Sequence, residues 1–388
     1  MKLMHLSDLH LGKKLNEFSL YDDQKYILQQ ILQIVEDELP DCILLAGDIY
    51  DKPVPPAEAV TLFDSFLSRL AELKRTVCVI SGNHDSAERL SFGAQLMAGS
   101  GVHFAGSYDG TVQRVVLQDE DGPVNIYLLP FVKPSMVKHY LDEEQAAQIN
   151  SYHDAVKFAV GQMAPVQAER NVLVAHQFVT GAEPSGSEST SVGGLDNVGA
   201  EVFAGFDYVA LGHIHNPQNV GGNEHIRYSG TPLKYSFSEW QQTKSLIMVE
   251  LKQKGALSVT PLPLVPWREL RYLKGTYEEL MSRKTYEVYP IDEDGALQDF
   301  YYLSLTDEED VPNAVQRLRS VYKNLLQLDY DNKRSQTNGE LALMQKIAEK
   351  TPMELIGEFY KLQNNQDMSD EQKRYLTELM ERMGGVML

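Results

Sequence analysis

The chain has 388 residues, 43% of them hydrophobic and 23% charged, and a formal net charge of −20. That length calls for two or three domains rather than one core, and the ordinary apolar share excludes a disordered or fibrous protein. The acidic excess, spread over the whole chain, argues against binding a polyanion by the protein's own charge, so such a substrate would need bound cations and a partner subunit.

Met1–Leu6 reads as a first strand, too short and polar for the apolar core of a signal peptide. No later run approaches the ~18–20 apolar residues of a membrane span. A cytoplasmic location is therefore expected. After Ser7-Asp8-Leu9-His10, the positions Ile27, Leu28, Ile31, Ile34 and Val35 recur at helical spacing within Leu20–Leu39. Cys42–Ala46 is short, apolar and without a helical period, which reads as a strand buried on both faces. It stops at Gly47 and is followed by Asp48. Pro55-Pro56 breaks the chain before a helix through Leu62, Phe66 and Leu70. Thr76–Ile80 is a third strand and ends in Ser81-Gly82-Asn83-His84-Asp85. Cys42 and Cys78 both fall in these buried strands and are expected as reduced core thiols.

Val112–Leu117 and Val124–Leu129 flank Asp119-Glu120-Asp121-Gly122, a hairpin pattern. A helical stretch near 143–163 leads to Asn171–His176, again a strand ending in a ligand type. Residues 177–200, rich in Gly, Ser, Thr and Glu, form a loop long enough to be functional. Phe206–Leu211 leads to Gly212-His213-Ile214-His215, and Ser245–Leu251 is a further strand. Pro261, Pro263 and Pro266 mark a boundary. Beyond it, 268–330 reads as β-α-β-α-β: strands Glu269–Leu273, Tyr301–Leu305 and Leu325–Leu328, with helices near 277–283 and 312–323. The tail carries amphipathic helices over 352–362 (Leu355, Ile356, Phe359, Tyr360) and 370–383 (Tyr375, Leu376, Leu379, Met383). The second opens on a Ser369…Gln372 capping box. The expected fold is α/β: a layered β-sandwich core flanked by helices (1–265), a small α/β capping domain (266–335) and a C-terminal helical segment (336–388).

A carboxylate such as Asp48 after a strand is by itself an ordinary turn. Recurrence changes that reading. Five of the ten histidines (His10, His84, His176, His213, His215) stand at strand ends, beside Asp8, Asp48 and Asn83. Asp8 and His10 are two apart, so in extended geometry both would face one ion. The series Asp-x-His, Gly-Asp, Gly-Asn-His-Asp, His, Gly-His-x-His resembles the calcineurin-like metallophosphoesterases. That resemblance implies one metal on Asp8, His10 and His215, a second on Asn83, His176 and His213, and Asp48 bridging both. Two divalent ions ~3.5–4 Å apart need a shared anion, and they acidify water and clamp phosphate oxygens. A thiolate-free donor set suits Mn2+, Fe2+ or Zn2+ rather than a structural zinc site. His84 would stabilise transition-state charge or protonate the leaving oxygen, with Asp85 placed to fix its tautomer.

A narrower resemblance is to the bacterial double-strand-break repair nucleases of this superfamily. It rests on Gly47–Asp51, Tyr228-Ser229-Gly230-Thr231-Pro232, Tyr235–Glu239 and the Arg268–Leu280 stretch. It implies Mn2+-dependent cleavage of DNA, as a 3′→5′ exonuclease on duplex ends and an endonuclease on hairpins. It also implies a homodimer bound to a coiled-coil ATPase, with the capping domain contacting DNA and the tail gripping the ATPase. Asp51 stands where archaeal and eukaryotic relatives carry a histidine, and no second catalytic histidine is carried over. One rival is a phosphodiesterase for small phosphoesters, disfavoured by the residues beyond 265. The other is a non-enzymatic scaffold, disfavoured because every expected ligand is present.

Overall fold

In strand β2 (Cys42–Ala46) every side chain is buried, because alternate residues serve two different cores. Cys42, Leu44 and Ala46 point into an inner core shared by two sheets. Ile43 and Leu45 point out to a helical layer. A strand covered on both faces needs no polar alternation, which is why it reads as a continuous apolar run. The computed structural model describes residues 1–185, 188, 197–291, 297–332, 360, 368–369 and 372–376.

The first sheet contains β1 (Lys2–Leu6), β2, β3 (Thr76–Ile80) and β4 (Val102–Ala105), all parallel. The second contains β5 (Gln113–Asp119), β6 (Gly122–Leu129), β7 (Arg170–His176), β8 (Tyr208–Gly212), β9 (Gln218–Val220) and β10 (Asn223–Tyr228). The chain then returns to the first sheet as β11 (Ser245–Leu251) and β12 (Leu257–Pro263). The orders are β12-β11-β1-β2-β3-β4 and β9-β10-β8-β7-β6-β5. Helices α1 (Tyr21–Glu38) and α2 (Ala57–Glu72) cover the outer face of the first sheet, and α3 (Tyr152–Met163) covers that of the second. This is the layered sandwich expected from the sequence.

Because β1, β2 and β3 run parallel, as do β7 and β8, the polar residues after each strand gather at one edge. One buried side chain, His5, ties the two sheets across the inner core. His5 of β1 accepts from the Tyr208 hydroxyl (2.9 Å) and donates from Nε2 to the Leu211 carbonyl (3.1 Å). The cysteines are free, fully buried and 3.8 Å apart sulfur to sulfur.

Local differences from expectation have local causes. The helix near 143–163 is two pieces, Glu143–Ala146 and α3, because Ser151 and Asp154 form a capping box that starts α3 afresh. The helix expected over 312–323 is only Ala314–Leu318, entered through Asn313 with a left-handed backbone. The hairpin closes in register at Asp119↔Gly122.

The chain divides into two compact units. One is Met1–Tyr272 with Pro290–Tyr302 and Tyr322–Leu326; the other is Leu273–Tyr289, Leu303–Val321 and Gln327–Leu388. The strands Leu270–Gly275, Phe300–Leu305 and Leu325–Tyr330 form a three-stranded sheet in that order. In the tail, Ser369 and Gln372 cap a helix reciprocally (2.9 and 3.3 Å). Residues 372–376 and Tyr360 are helical, and Tyr375 is 66% exposed. Leu355, Ile356, Phe359, Leu379 and Met383 lie outside the described residues.

Burial pushes the His5 imidazole down to about 3, whereas in an unfolded chain it titrates near 6.5. Between those values the unfolded state binds one more proton, so folding stability rises with pH there and is lost on acidification from about 6.5 downward. His5→Gln is expected to flatten this acid limb by up to about 1.4 kcal/mol per pH unit. Urea denaturation at pH 4.5, 5.5 and 7.5 checks it, and an unchanged limb would locate the acid sensitivity elsewhere.

Candidate metal centre

The segment after β1 is laced to the segment after β2 by main-chain hydrogen bonds: Asp8 N to Gly47 O, His10 N to Asp48 O and Leu11 N to Ile49 O, at 2.9–3.0 Å. This brings Asp8, His10 and Asp48 together. Asp8 and His10 do share one face, but not by strand alternation. Their φ values are 52° and 43°, and those of Asp48 and His213 are 50° and 103°. Four of the nine non-glycine residues with positive φ among the described residues are thus expected ligands. Such backbone costs on the order of 1–3 kcal/mol per residue and persists where its surroundings enforce it. Glycine makes the close packing possible. A Cβ on Gly47, itself at φ +86°, would lie 2.4 Å from His176 Nδ1, and one on Gly82 would lie 2.1 Å from Asp48 Oδ1.

All seven expected ligands converge. Asp8, His10 and His215 offer donor atoms within 4.8 Å of one another, and so do Asp8, Asp48 and His176. The Asn83 Oδ1 atom is 3.1 Å from His176 Nε2 and 2.9 Å from His213 Nδ1. One carboxylate oxygen, Asp48 Oδ2, is 3.4 Å from His176 Nε2 and 3.7 Å from His10 Nε2, so it faces both groups. His10 and His215 approach through Nε2 at 3.2 Å. Except for Asn83, which is half-buried, these side chains are buried. Two buried carboxylates, an amide oxygen and four imidazoles, with no thiolate, fit a hard or borderline divalent cation.

The charges support this fit. Burial pushes Asp8 up to about 6, against the pull of His176 and His215. Burial would also raise Asp48, but His176 outweighs it, helped by His10 and His84, and holds the carboxylate well below its usual range. Burial would lower His176, yet Asp48 lifts it to about 9. Without metal, His176 therefore carries the proton that a cation would displace.

His84 belongs to the same cluster, within 4.8 Å of donor atoms of His10 and Asp48. Its tautomer is set differently from the expectation. Asp85 instead accepts the backbone N–H groups of Ile49, Tyr50 and Gly82 (2.9–3.1 Å) and so shapes the Asp48 turn. Burial, then the Asp48 charge, pushes Asp85 up to about 6. His84 Nδ1 lies 2.9 Å from the Asp51 carbonyl, which orients the ring.

Several supporting residues escaped the sequence reading. Gln24 of α1 donates to the His10 carbonyl (2.8 Å), and the Tyr235 hydroxyl donates to the Leu9 carbonyl (2.5 Å). The Tyr228 hydroxyl donates to the Gln177 carbonyl and accepts from Val179 N, both at 2.8 Å. Ser7 and Ser229 are joined at 2.8 Å. Glu188, within the long loop, accepts the His215 N–H at 2.8 Å. Tyr228, Ser229 and Tyr235 lie in the motifs that carried the narrower resemblance, which was the available signal. Gln24 and Glu188 had none.

A family profile described as calcineurin-like phosphoesterase matches residues 1–217, and one described as type 5 capsule protein repressor C-terminal domain matches 266–364. The chain is 32% identical to the SbcD component of nuclease SbcCD from Staphylococcus epidermidis, over 99% of this chain and 100% of the relative. Among solved structures it is similar to a dimetal phosphatase from Danio rerio (12% identity, 67% of this chain and 95% of that one, TM-score 0.41). It is also similar to GAP50, the anchor in the inner membrane complex of Plasmodium (12%, 84% and 96%, TM-score 0.38). No helix among the described residues is long and apolar enough to cross a membrane.

A ligating imidazole must be neutral, so metal binding near pH 7 is expected to release protons, from His176 foremost and also from His215, which burial would lower but carboxylate neighbours hold above the usual imidazole range. Affinity for Mn2+ should rise with pH toward about 9, where His176 titrates, and fall further below about 6 as Asp8 protonates. Asp48→Asn removes the charge that holds the His176 proton, and should both weaken metal binding and shrink the proton release. Calorimetry in buffers of different ionisation heat measures both. Proton release undiminished in Asp48→Asn would contradict the assignment.

Proposed function

This chain belongs to the calcineurin-like phosphoesterase family, and within it to the SbcD nucleases, and on that premise we propose that it cleaves DNA in repair as the partner of an SbcC-type coiled-coil ATPase. It is a metal-dependent nuclease. The observation that carries the reading is the convergence of Asn83, His176 and His213 with Asp8, His10, His215 and Asp48, four of whose backbones are strained into place. In this reading Asp8, His10 and His215 hold one Mn2+, Asn83, His176 and His213 hold a second, and Asp48 faces both. Bound there, such a pair supplies Lewis-acid polarisation of a phosphodiester and lowers the pKa of water.

The chain's own contribution is placement and proton transfer. Asp85 holds the Asp48 turn through three N–H groups. His84 donates its Nδ1–H to the Asp51 carbonyl, so Nε2 is the nitrogen left to face the substrate. From there, in the form with both ring nitrogens protonated, it stabilises negative charge on the phosphate or gives the Nε2 proton to the leaving oxygen. His84→Gln is expected to lower turnover by about 10²–10⁴-fold while Mn2+ stoichiometry stays unchanged. Loss of metal in this variant would make His84 a ligand instead.

The finer reading is 3′→5′ exonuclease action on duplex ends and endonuclease action on hairpin or single-stranded DNA. Residues 266–335 would be the capping domain that contacts DNA, and the tail would grip the ATPase. Homodimerisation is supported by Phe92 and Leu96, the most exposed large hydrophobic side chains among the described residues (86% and 85%). A cytoplasmic setting is supported by two buried free thiols. The test compares Mn2+-dependent hydrolysis of linear duplex and hairpin DNA with that of a chromogenic phosphodiester, with and without the ATPase. Preference for DNA is expected, and cleavage of the small ester alone would overturn the reading.

A further inference from the structure

Behind the Asp8, His10 and His215 cluster lies an ion pair with no part in the chemistry described so far. Glu239 is fully buried and Lys244 is 4% exposed. Their charged atoms, Nζ and Oε2, are 2.6 Å apart. Withdrawing two charges from water is unfavourable, and an apolar pair of similar volume often serves the fold as well or better. The contacts of this pair indicate another use. Lys244 Nζ donates to the main-chain carbonyl of His215 (2.9 Å), which also accepts from Thr231 N (3.1 Å). Glu239 Oε1 lies 3.5 Å from His215 Nδ1, on the side of the ring away from His10. Further contacts hold the carboxylate and ammonium themselves: Thr231 Oγ1 (3.4 Å) and Tyr235 N (3.3 Å) on Glu239, and Gln242 Oε1 (2.6 Å) on Lys244. Both the ring and the backbone of one histidine are therefore addressed by one buried pair. The corresponding nitrogen of His176 rests instead on the main-chain carbonyl of Ala46 (2.8 Å).

We propose that Glu239, clamped by Lys244, is a positioning residue for His215. It directs Nδ1–H toward the carboxylate and Nε2 toward Asp8 and His10, and so tunes the affinity of one metal site of the two. This rests on the reading of that cluster as a metal site. Carboxylates behind a ligating imidazole orient the ring and raise its basicity, and their loss typically weakens metal binding about 10–100-fold.

The experiment titrates Mn2+ into the metal-free full-length chain by calorimetry, with electron paramagnetic resonance as a second count of bound ion. It compares the natural protein, Glu239→Gln, and Glu239→Gln with Lys244→Met. The double variant leaves no unpaired charge in the core, so it decides the question should the single variant misfold. The natural protein is expected to bind two ions. Each variant should bind one with unchanged affinity and the other about 10–100-fold more weakly, and the metal-free double variant should melt near the natural temperature. Two sites of natural affinity in a double variant that melts normally would make the pair purely structural and overturn the proposal. Equal weakening of both sites would overturn it too, since the role claimed is specific to His215. If the natural chain binds no divalent ion, the metal reading itself fails, a result distinct from either of these.

Discussion

Asp8 and Asp48 are carboxylates held out of water where the strands of two sheets end, and burial of that kind raises the free energy of each ionised group. The protein answers with imidazoles. His176 compensates Asp48 so strongly that the carboxylate stays ionised and the imidazole keeps its proton, while Asp8 remains easier to protonate than an ordinary aspartate. Much of the surrounding structure follows from this demand: the glycines that let backbone approach the ring and the carboxylate, the left-handed turns at four of the expected ligand positions, and the hydrogen bonds lacing 8–11 to 47–49.

The same constraint bears on the net charge of −20. A chain so acidic would repel a polyanion at long range. Where hard cations occupy a carboxylate-lined pocket, they invert the local field and become its largest charges. An acidic protein can then act on phosphodiesters without a basic surface of its own at the reacting bond, and an assembly partner can supply the wider attraction.

The two halves of the site are not built alike. His176 is steadied by a main-chain carbonyl of the first sheet, a neutral and rigid support. His215 is steadied by a buried ion pair, and His10 has Asp51 3.8 Å from its Nδ1, with Lys13 2.8 Å from the same carboxylate oxygen. A neutral dipole and a formal charge stabilise an imidazole to different degrees, so the two sides of the cluster are physically inequivalent even where their side chains are similar.

What the sequence determined by itself is the set of candidate ligand residues and the strands that carry it. Apolar runs such as Cys42–Ala46 and Arg170–His176 are local, and the affinity of Asp, Asn and His for cations belongs to the residue type, so both survive without a fold. Short-range spacing also sufficed for the Ser369–Gln372 capping box and the hairpin. Tertiary structure alone decided the rest. It set one amide oxygen, Asn83, against imidazoles 93 and 130 residues away. It gave the orientation of His84 to Asp51 rather than to its neighbour Asp85, which three backbone N–H groups had already claimed. It put Asp8 and His10 on one face through left-handed backbone, and brought Glu239 and Lys244 behind His215. Those choices depend on contacts between elements far apart along the chain, where no local periodicity or spacing records which partner will arrive.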